Sequence, residues 1–406
     1  MKALLTTLYL LAIASSGRAA DDFLDRVDQA LTLSTSDGNV RARLSGTLEL
    51  EAYHFSQPAP GLIDSTSDSL FNPRLTLFLD GQLGSRIYLF AQARADRGFD
   101  PSNGGSEVRL DEYAMRVTPW EDGRLSLQIG KFATVVGGWN ARHLAWDNPF
   151  INAPFPYENV TAVSDLEPPL SAPEFARTRI DAHSKYEHTP IVWGSSYATG
   201  VSLGGRIAKF DYAAELKNSA LSSRPEAWDV SDTGFDHPTI SGRVGFRPNQ
   251  SWNIGLSASS GAYLRPEAES DLPRGRSLGH YRELVLAQDL SFAWHHLQLW
   301  AEFFEARFEV PRVGNVDTFA YFIEAKYKFL PQLFGALRWN QQLFANVRDG
   351  EGGRAPWGDD AWRVDAAVGY RFTPHTQLKL QYDLGRNDSG RSGFGHMIAA
   401  QFTLRF

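Results

Sequence analysis

Residues 361–386 read A-W-R-V-D-A-A-V-G-Y-R-F-T-P-H-T-Q-L-K-L-Q-Y-D-L-G-R. Trp362, Val364, Ala366, Val368, Tyr370 and Phe372 alternate with Arg363, Asp365, Ala367, Gly369 and Arg371. After Thr373-Pro374-His375 the alternation resumes, with Leu378, Leu380, Tyr382 and Leu384 against Gln377, Lys379, Gln381 and Asp383. A period of two puts each set on one face of a strand. The brief break makes the two strands an antiparallel hairpin. One face is wholly apolar. The other carries Arg, Lys and Asp in mid-strand, where the core of a sandwich would have to bury charge. Lipid on one side and water on the other satisfies both faces.

The same pattern extends outward. Phe319, Tyr321, Ile323, Ala325, Tyr327 and Phe329 oppose Ala320, Phe322, Glu324, Lys326 and Lys328. The chain ends with Ile398, Ala400, Phe402, Leu404 and Phe406 opposing Gln401, Thr403 and Arg405. Upstream, Leu44, Leu48 and Leu50, then Leu75, Leu77 and Leu79, then Ile87 to Ala95 and Leu125 to Ile129 form apolar faces of the same kind. Roughly sixteen such runs lie between 42 and 406, and their connections alternate short and long. The short ones fall near 81–84, 119–123, 208, 247–250, 294–296, 330–332 and 373–375; the long ones are 56–70, 98–106, 132–197, 219–237, 263–281, 310–316, 347–359 and 387–393. The expected fold class is all-β: a transmembrane antiparallel up-and-down β-barrel of about 16 strands, with short periplasmic turns and a long third outer loop. Closure also removes the raw edges of so large a sheet.

Composition agrees. Residues 1–19 read as a signal peptide, with Lys2, an apolar run from Leu4 to Ala14 and a small-residue end, too short for a helical span. Residues 20–41 read as a short N-terminal periplasmic segment with helical spacing at Phe23, Leu24, Val27 and Leu31; 42–406 is the barrel, interrupted by 132–197. There is no cysteine, so an exported chain depends on no disulfide. The net charge of −7 becomes −9 once Lys2 and Arg18 leave with the signal, which excludes nucleic acid as a partner. A mean hydropathy of −0.31 suits a barrel, because only alternate strand residues face lipid. Together these readings assign the chain to the outer membrane of a Gram-negative-type bacterium.

Leu110–Gly137 reads L-D-E-Y-A-M-R-V-T-P-W-E-D-G-R-L-S-L-Q-I-G-K-F-A-T-V-V-G. It resembles the phosphate-selective porins O and P: a strand with an aromatic and Ala (Tyr113, Ala114), a Pro turn (Pro119), then Leu127, Ile129, Gly130, Lys131 and Phe132 running into Gly137. Gly200–Leu216, Arg363–Leu384 and the terminal Phe are similar to that family's later strands. The resemblance implies a sixteen-stranded porin, commonly trimeric, whose third outer loop folds into the lumen. The phosphate-selective members line their pore with rows of basic residues. The inward basics expected here are Arg43, Arg74, Arg86, Arg94, Arg109, Arg116, Arg124, Lys326, Lys328, Arg363, Arg371, Lys379 and Arg405. They are interspersed with Glu49, Glu51, Asp80, Asp96, Glu112, Glu302, Glu324, Asp365 and Asp383. Such a wall pairs its own charges, so phosphate selectivity is not expected.

The segment 132–197 breaks the two-residue period and is rich in Pro and aromatics. A structureless loop of that length inside a compact fold is either functional or a sign of a wrong assignment. Trp139, Arg142, His143, Asp147, Arg177 and Arg179 are its candidate pore-facing groups; the alternative is that the loop packs outward, over the rim or against a neighbouring subunit. Enzyme chemistry is not expected. The histidines are scattered, no G-x-S-x-G or H-E-x-x-H occurs, and the loop acids Asp147, Glu158, Asp165, Glu167 and Glu174 lack calcium-loop spacing. No cofactor, metal or catalytic residue is assigned. Passive diffusion of small hydrophilic solutes or ions is the leading reading. A barrel serving as anchor or receptor is the alternative, with a lipid-modifying enzyme behind it. The expected partners are outer-membrane lipid, the solutes, a homotrimer through the resemblance, and the barrel assembly machinery, which would read Phe402, Leu404 and Phe406.

Overall fold

The computed structural model describes residues 17–97, 106–178, 180, 184–349, 352–387 and 393–406, with side chains from residue 23 onward. Among the described residues, sixteen strands make one ring. They are β1 Val40–Phe55, β2 Ser69–Leu83, β3 Ile87–Asp96, β4 Glu107–Val117, β5 Ser126–Phe132, β6 Ala198–Ile207, β7 Phe210–Lys217 and β8 Thr239–Phe246. The ring continues with β9 Trp252–Ala262, β10 Arg282–Trp294, β11 Leu297–Val310, β12 Gly314–Lys328, β13 Leu333–Phe344, β14 Ala361–Arg371, β15 Thr376–Asn387 and β16 Gly395–Arg405. Each strand pairs antiparallel with the next, and β16 pairs with β1 to close the barrel, Ala400 opposite Ala52 and Leu404 opposite Leu48. The two-residue period thus gives the strands, and closure satisfies every edge.

The two faces are inverted relative to a soluble protein. Outward-pointing Leu256, Leu337 and Ile398 are about 60 % exposed, whereas inward-pointing Glu324, Asp365 and Lys379 are 0 % exposed. Aromatic pairs gather at both rims. Trp252–Phe292, Phe210–Phe246 and Tyr370–Phe372 lie at the short-turn end, and stacked Trp339–Trp362 lies toward the long-loop end. Such belts sit where hydrocarbon gives way to headgroups.

Three details depart from the sequence reading. Strands β11 and β12 are joined by 311–313 alone, so 310–316 is as tight as the turns at the other rim. There Val310 and Val316 are buried, and Arg312 donates to the carbonyls of Pro169 and Asp271, tying this tip to two neighbouring loops. A β-bulge at Gln92/Ala93 makes Asp111 an extra residue in β4, and both Asp111 and Glu112 engage groups inside the barrel. At the N-terminus, helix α1, Gly17–Ala30, runs across the expected signal cut, while residues 1–16 lie outside the described residues. The helix docks at the short-turn rim through Asp28 on Arg43 (2.8 Å) and Asp25 on His375 (3.0 Å). No helix among the described residues is long and apolar enough to cross a membrane.

Candidate functional site: a lumenal constriction made by the third loop

The connection between β5 and β6, residues 133–197, folds into the barrel. Its entry is set by Gly137, whose φ is +78°, and a Cβ there would collide with the Tyr157 hydroxyl. That hydroxyl donates to Glu302 on β11 at 2.5 Å. Near the entry, Ala133 N–H donates to Glu112 and Thr134 donates to Glu215 (2.6 Å), fixing the departing chain to β4 and β7. A 3-10 turn, Trp139–Arg142, follows. Arg142 donates to Glu324 at 2.6 Å and lies 4.3 Å over the Trp300 ring. His143 is held on both nitrogens, Nδ1 at 2.6 Å from the Asn140 carbonyl and Nε2 at 2.6 Å from the Tyr197 hydroxyl. The carbonyl can only accept, so Nδ1 carries the proton; the tyrosine hydroxyl then donates to Nε2 of a neutral imidazole.

The driving force for this entry is visible on the wall. The inner faces of β11 and β12 toward the long-loop rim are apolar: Phe304, Ala306, Phe308, Val316, Ala320 and Phe322 are all buried. Val136, Trp139, Tyr157, Val163, Phe175, Ile191 and Val192 of the loop pack on them in one cluster. Removing apolar surface from water at about 25 cal/mol per Å² favours the folded-in loop.

Segment 145–153 then lies along β13–β15, and polar groups hold it. Lys379 donates to the carbonyls of Ala145 (2.9 Å), Asn148 (3.0 Å) and Phe150 (3.0 Å). Arg338 donates to the Asn152 side chain (2.6 Å) and to the Ala153 carbonyl, while its Nε donates to Asp365 (2.7 Å). Arg363 bridges Glu158 of the loop (2.5 Å) and Asp365 (2.6 Å). Asp383 accepts from Asn152, and Gln381 accepts from the Ile151 N–H. Phe150, fully buried, sits against Ala336 and Ala367, two inward positions small enough for its ring. Trp146 stands between two guanidiniums, Arg371 at 4.9 Å and Arg405 at 4.0 Å from its ring, and Asp147 beside it is exposed.

The wall of β1–β4 is different. On β1–β4, Arg74 meets Glu49, Glu51 and Asp96, Arg94 meets Asp111 at 2.8 Å, and Arg109 meets Asp96 and Asp111. These three arginine side chains keep 10–17 % exposure, against 0 % for Arg338. Beyond the constriction, toward the long-loop rim, a cavity of about 710 Å³ opens between the first loop, the third loop and β14–β16; Phe155, Arg363 and Asp383 are among its lining residues.

The remaining candidates are distributed as follows. Arg43 is exposed at the rim on Asp28, Arg86 and Arg124 fall in short turns, and Lys328 ends β12 in solvent. Arg116 bonds Gln128 and lies over Tyr88 and Phe90; Lys326 is buried 4.3 Å from the Phe334 ring. Arg177 is exposed on the helical turn Ala172–Arg177, apart from the 139–147 group, and Arg179 lies outside the described residues. Inside the barrel the sequence reading missed Arg338, Arg243, Lys217, Asp111, Glu215, Glu283 and Asp289. Arg338 was available from alternation, since Phe334, Ala336, Arg338, Asn340 and Gln342 share one face of β13. Asp111 was hidden by the bulge. Among the described residues, no group of three or more His, Cys, Asp or Glu is arranged to hold a metal.

No protein-family model and no curated protein matches the sequence. Solved structures do match in fold. Among them, the anion-selective porin from Comamonas acidovorans has a TM-score of 0.56 at 11% identity, over 90% of this chain and 100% of that one. The outer membrane channel DcaP of Acinetobacter baumannii has a TM-score of 0.56 at 11% identity, over 92% and 99%. OmpF of Salmonella typhi, solved with daunomycin, has a TM-score of 0.55 at 12% identity, over 92% and 100%. The chain is therefore similar in fold to outer-membrane barrels of the porin type.

Proposed function

We propose that this chain is an outer-membrane channel for passive diffusion of small hydrophilic solutes or ions, narrowed by its third loop. One observation carries the reading. The longest connection of a sixteen-stranded barrel lies inside the lumen, fixed to the wall by buried polar contacts, instead of over the rim. A barrel of this size encloses an aqueous lumen unless something fills it. Size and charge are then filtered where the loop faces the partly exposed arginines of β1–β4. The resemblance of Leu110–Gly137 to phosphate-selective porins supports the channel class. It does not extend to phosphate, because Arg74, Arg94 and Arg109 are matched by carboxylates of their own wall.

The test is planar-bilayer recording of the refolded protein. Small, discrete conductance steps are expected; a folded barrel that never conducts would overturn the channel reading. It would favour instead a barrel that serves as an anchor or receptor, a reading motivated by the complete burial of Arg338, Asp365 and Lys379 beneath the loop. Two further proposals belong to this function. The first is a trimer, which cross-linking in vesicles tests. The second is recognition of the last strand during assembly. Phe406 exchanges backbone hydrogen bonds with Gly46, and its ring occupies the space a Cβ there would need. Removing Phe406 is expected to slow the appearance of the heat-modifiable folded form, and an unchanged rate would count against it.

A further inference from the structure

We infer that loop segment 145–153 is built around a monovalent-cation site, that Lys379 fills this site with its own ammonium group, and that the filled site positions the constriction. An –NH3⁺ group has three donors and no acceptor. Lys379 Nζ meets three carbonyl oxygens, those of Ala145, Asn148 and Phe150, at 2.9, 3.0 and 3.0 Å. Each donor therefore has one acceptor. The three carbonyls come from one turn of chain, which folds back through Asp147 and Asn148 N–H groups on the Leu144 carbonyl and through Phe150 N–H on the Asn148 side chain. None of the three accepts a backbone N–H among the described residues. Without the ammonium they would be left unsatisfied in a buried place.

Lys379 is 0 % exposed and makes no ion pair among the described residues. At hydrogen-bond distance its charge is answered by carbonyl dipoles, as a potassium or ammonium ion is held by protein oxygens, with Glu49 and Glu51 of β1 adding attraction from farther away. The surrounding contacts explain why the turn keeps this shape. Arg338 holds Asn152 and Ala153, Arg371 donates to the Trp146 carbonyl, and Phe150 is wedged on Ala336 and Ala367. The turn is thus gripped at both ends, with Lys379 at its centre. The residue acts on permeation through the loop and is a positioning residue.

The conductance arm of the test rests on the channel reading; the exchange arm does not. Lys379→Met keeps most of the length of the side chain, one atom short, and removes its charge and donors. Hydrogen exchange over 145–153 is expected to accelerate by about tenfold or more, since three charged hydrogen bonds are lost, while the strands keep their protection. Lys379→Ala is expected to do the same and, having opened a space, to be restored toward the parent rate by n-propylammonium. Tetramethylammonium, with equal charge and no N–H, is expected to have no effect, and Lys379→Met is expected to respond to neither. In bilayers the same two variants are expected to show larger or noisier current steps, with propylammonium calming Lys379→Ala alone. If either variant folds poorly, refolding yield of Lys379→Ala with and without propylammonium replaces the exchange reading. Parent-like exchange in Lys379→Met, or Lys379→Ala indifferent to propylammonium in exchange or refolding, would overturn the proposal. Altered exchange in a barrel that never conducts would retain the site and discard the channel.

Discussion

The walls β13–β15 and β1–β4 carry the same residue types, Arg with Asp or Glu on alternate positions, and use them in opposite ways. On β13–β15 the cations reach out to backbone carbonyls and side chains of the third loop, and their carboxylates are sealed beneath it. On β1–β4 the cations turn to carboxylates of their own wall and keep contact with solvent. Charge on the inner face of a barrel therefore does not by itself make a pore lining. A loop can convert one wall into a cradle and leave the other to water. The apolar inner patch on β11–β12 draws the loop to one side of the barrel.

The largest expected effect comes from erasing the difference. Replacing residues 140–190 by a short Gly-Ser link hydrates the β13–β15 wall, and single-channel conductance is expected to rise severalfold. Unchanged conductance from a correctly folded deletion would mean that the loop does not limit flow.

The second experiment attacks the cradle alone. Arg338→Met takes one of two cations from Asp365 and from Glu324, which keep Arg363 and Arg142 respectively, and frees Asn152 and Ala153 of the loop; the lost charged hydrogen bonds are expected to cost about 3 kcal/mol. Denaturant titration in lipid vesicles, followed by tryptophan fluorescence, measures it. A loss below about 1 kcal/mol would mean that water already reaches this wall.

The third addresses the open wall. Arg74→Gln leaves Glu49, Glu51 and Asp96 with less positive charge, so reversal potentials in a KCl gradient are expected to move toward cation preference, with stability changed less than by Arg338→Met. No movement would exclude β1–β4 as the border of the conducting path. The smallest effect is expected from Tyr157→Phe, which removes one hydrogen bond to Glu302 at the loop entry, a loss of about 1.5–3 kcal/mol for a charged acceptor. Conductance is expected to stay near that of the parent, because the apolar cluster around Phe304 remains.

How much could be read from the chain follows from the range of each interaction. Alternation such as Leu378-Lys379-Leu380-Gln381-Tyr382 is local, so strand, face and approximate ends followed from neighbours in sequence. The bulge at Asp111 was not legible, because one inserted residue shifts register only relative to the partner strand. The turn at 311–313 was missed because Val310 and Val316 look like loop residues until the neighbouring loops cover them. Alternation turns Arg363, Asp365, Lys379 and Asp383 inward, but it does not show that they lie buried under the third loop. Lys379 and the Ala145 carbonyl are 234 residues apart in the chain, and no pattern in either stretch names the other.

By itself, then, the sequence determined an antiparallel barrel of about sixteen strands with an apolar outside, a charged inside and one outsized loop, because the period of two and the turn residues act over a few positions. Only the tertiary structure decided that the loop enters the lumen, which wall it occupies and which arginines remain in reach of water. Those outcomes depend on closure, which brings strands distant in sequence around one loop and lets burial choose among charges that look alike on paper.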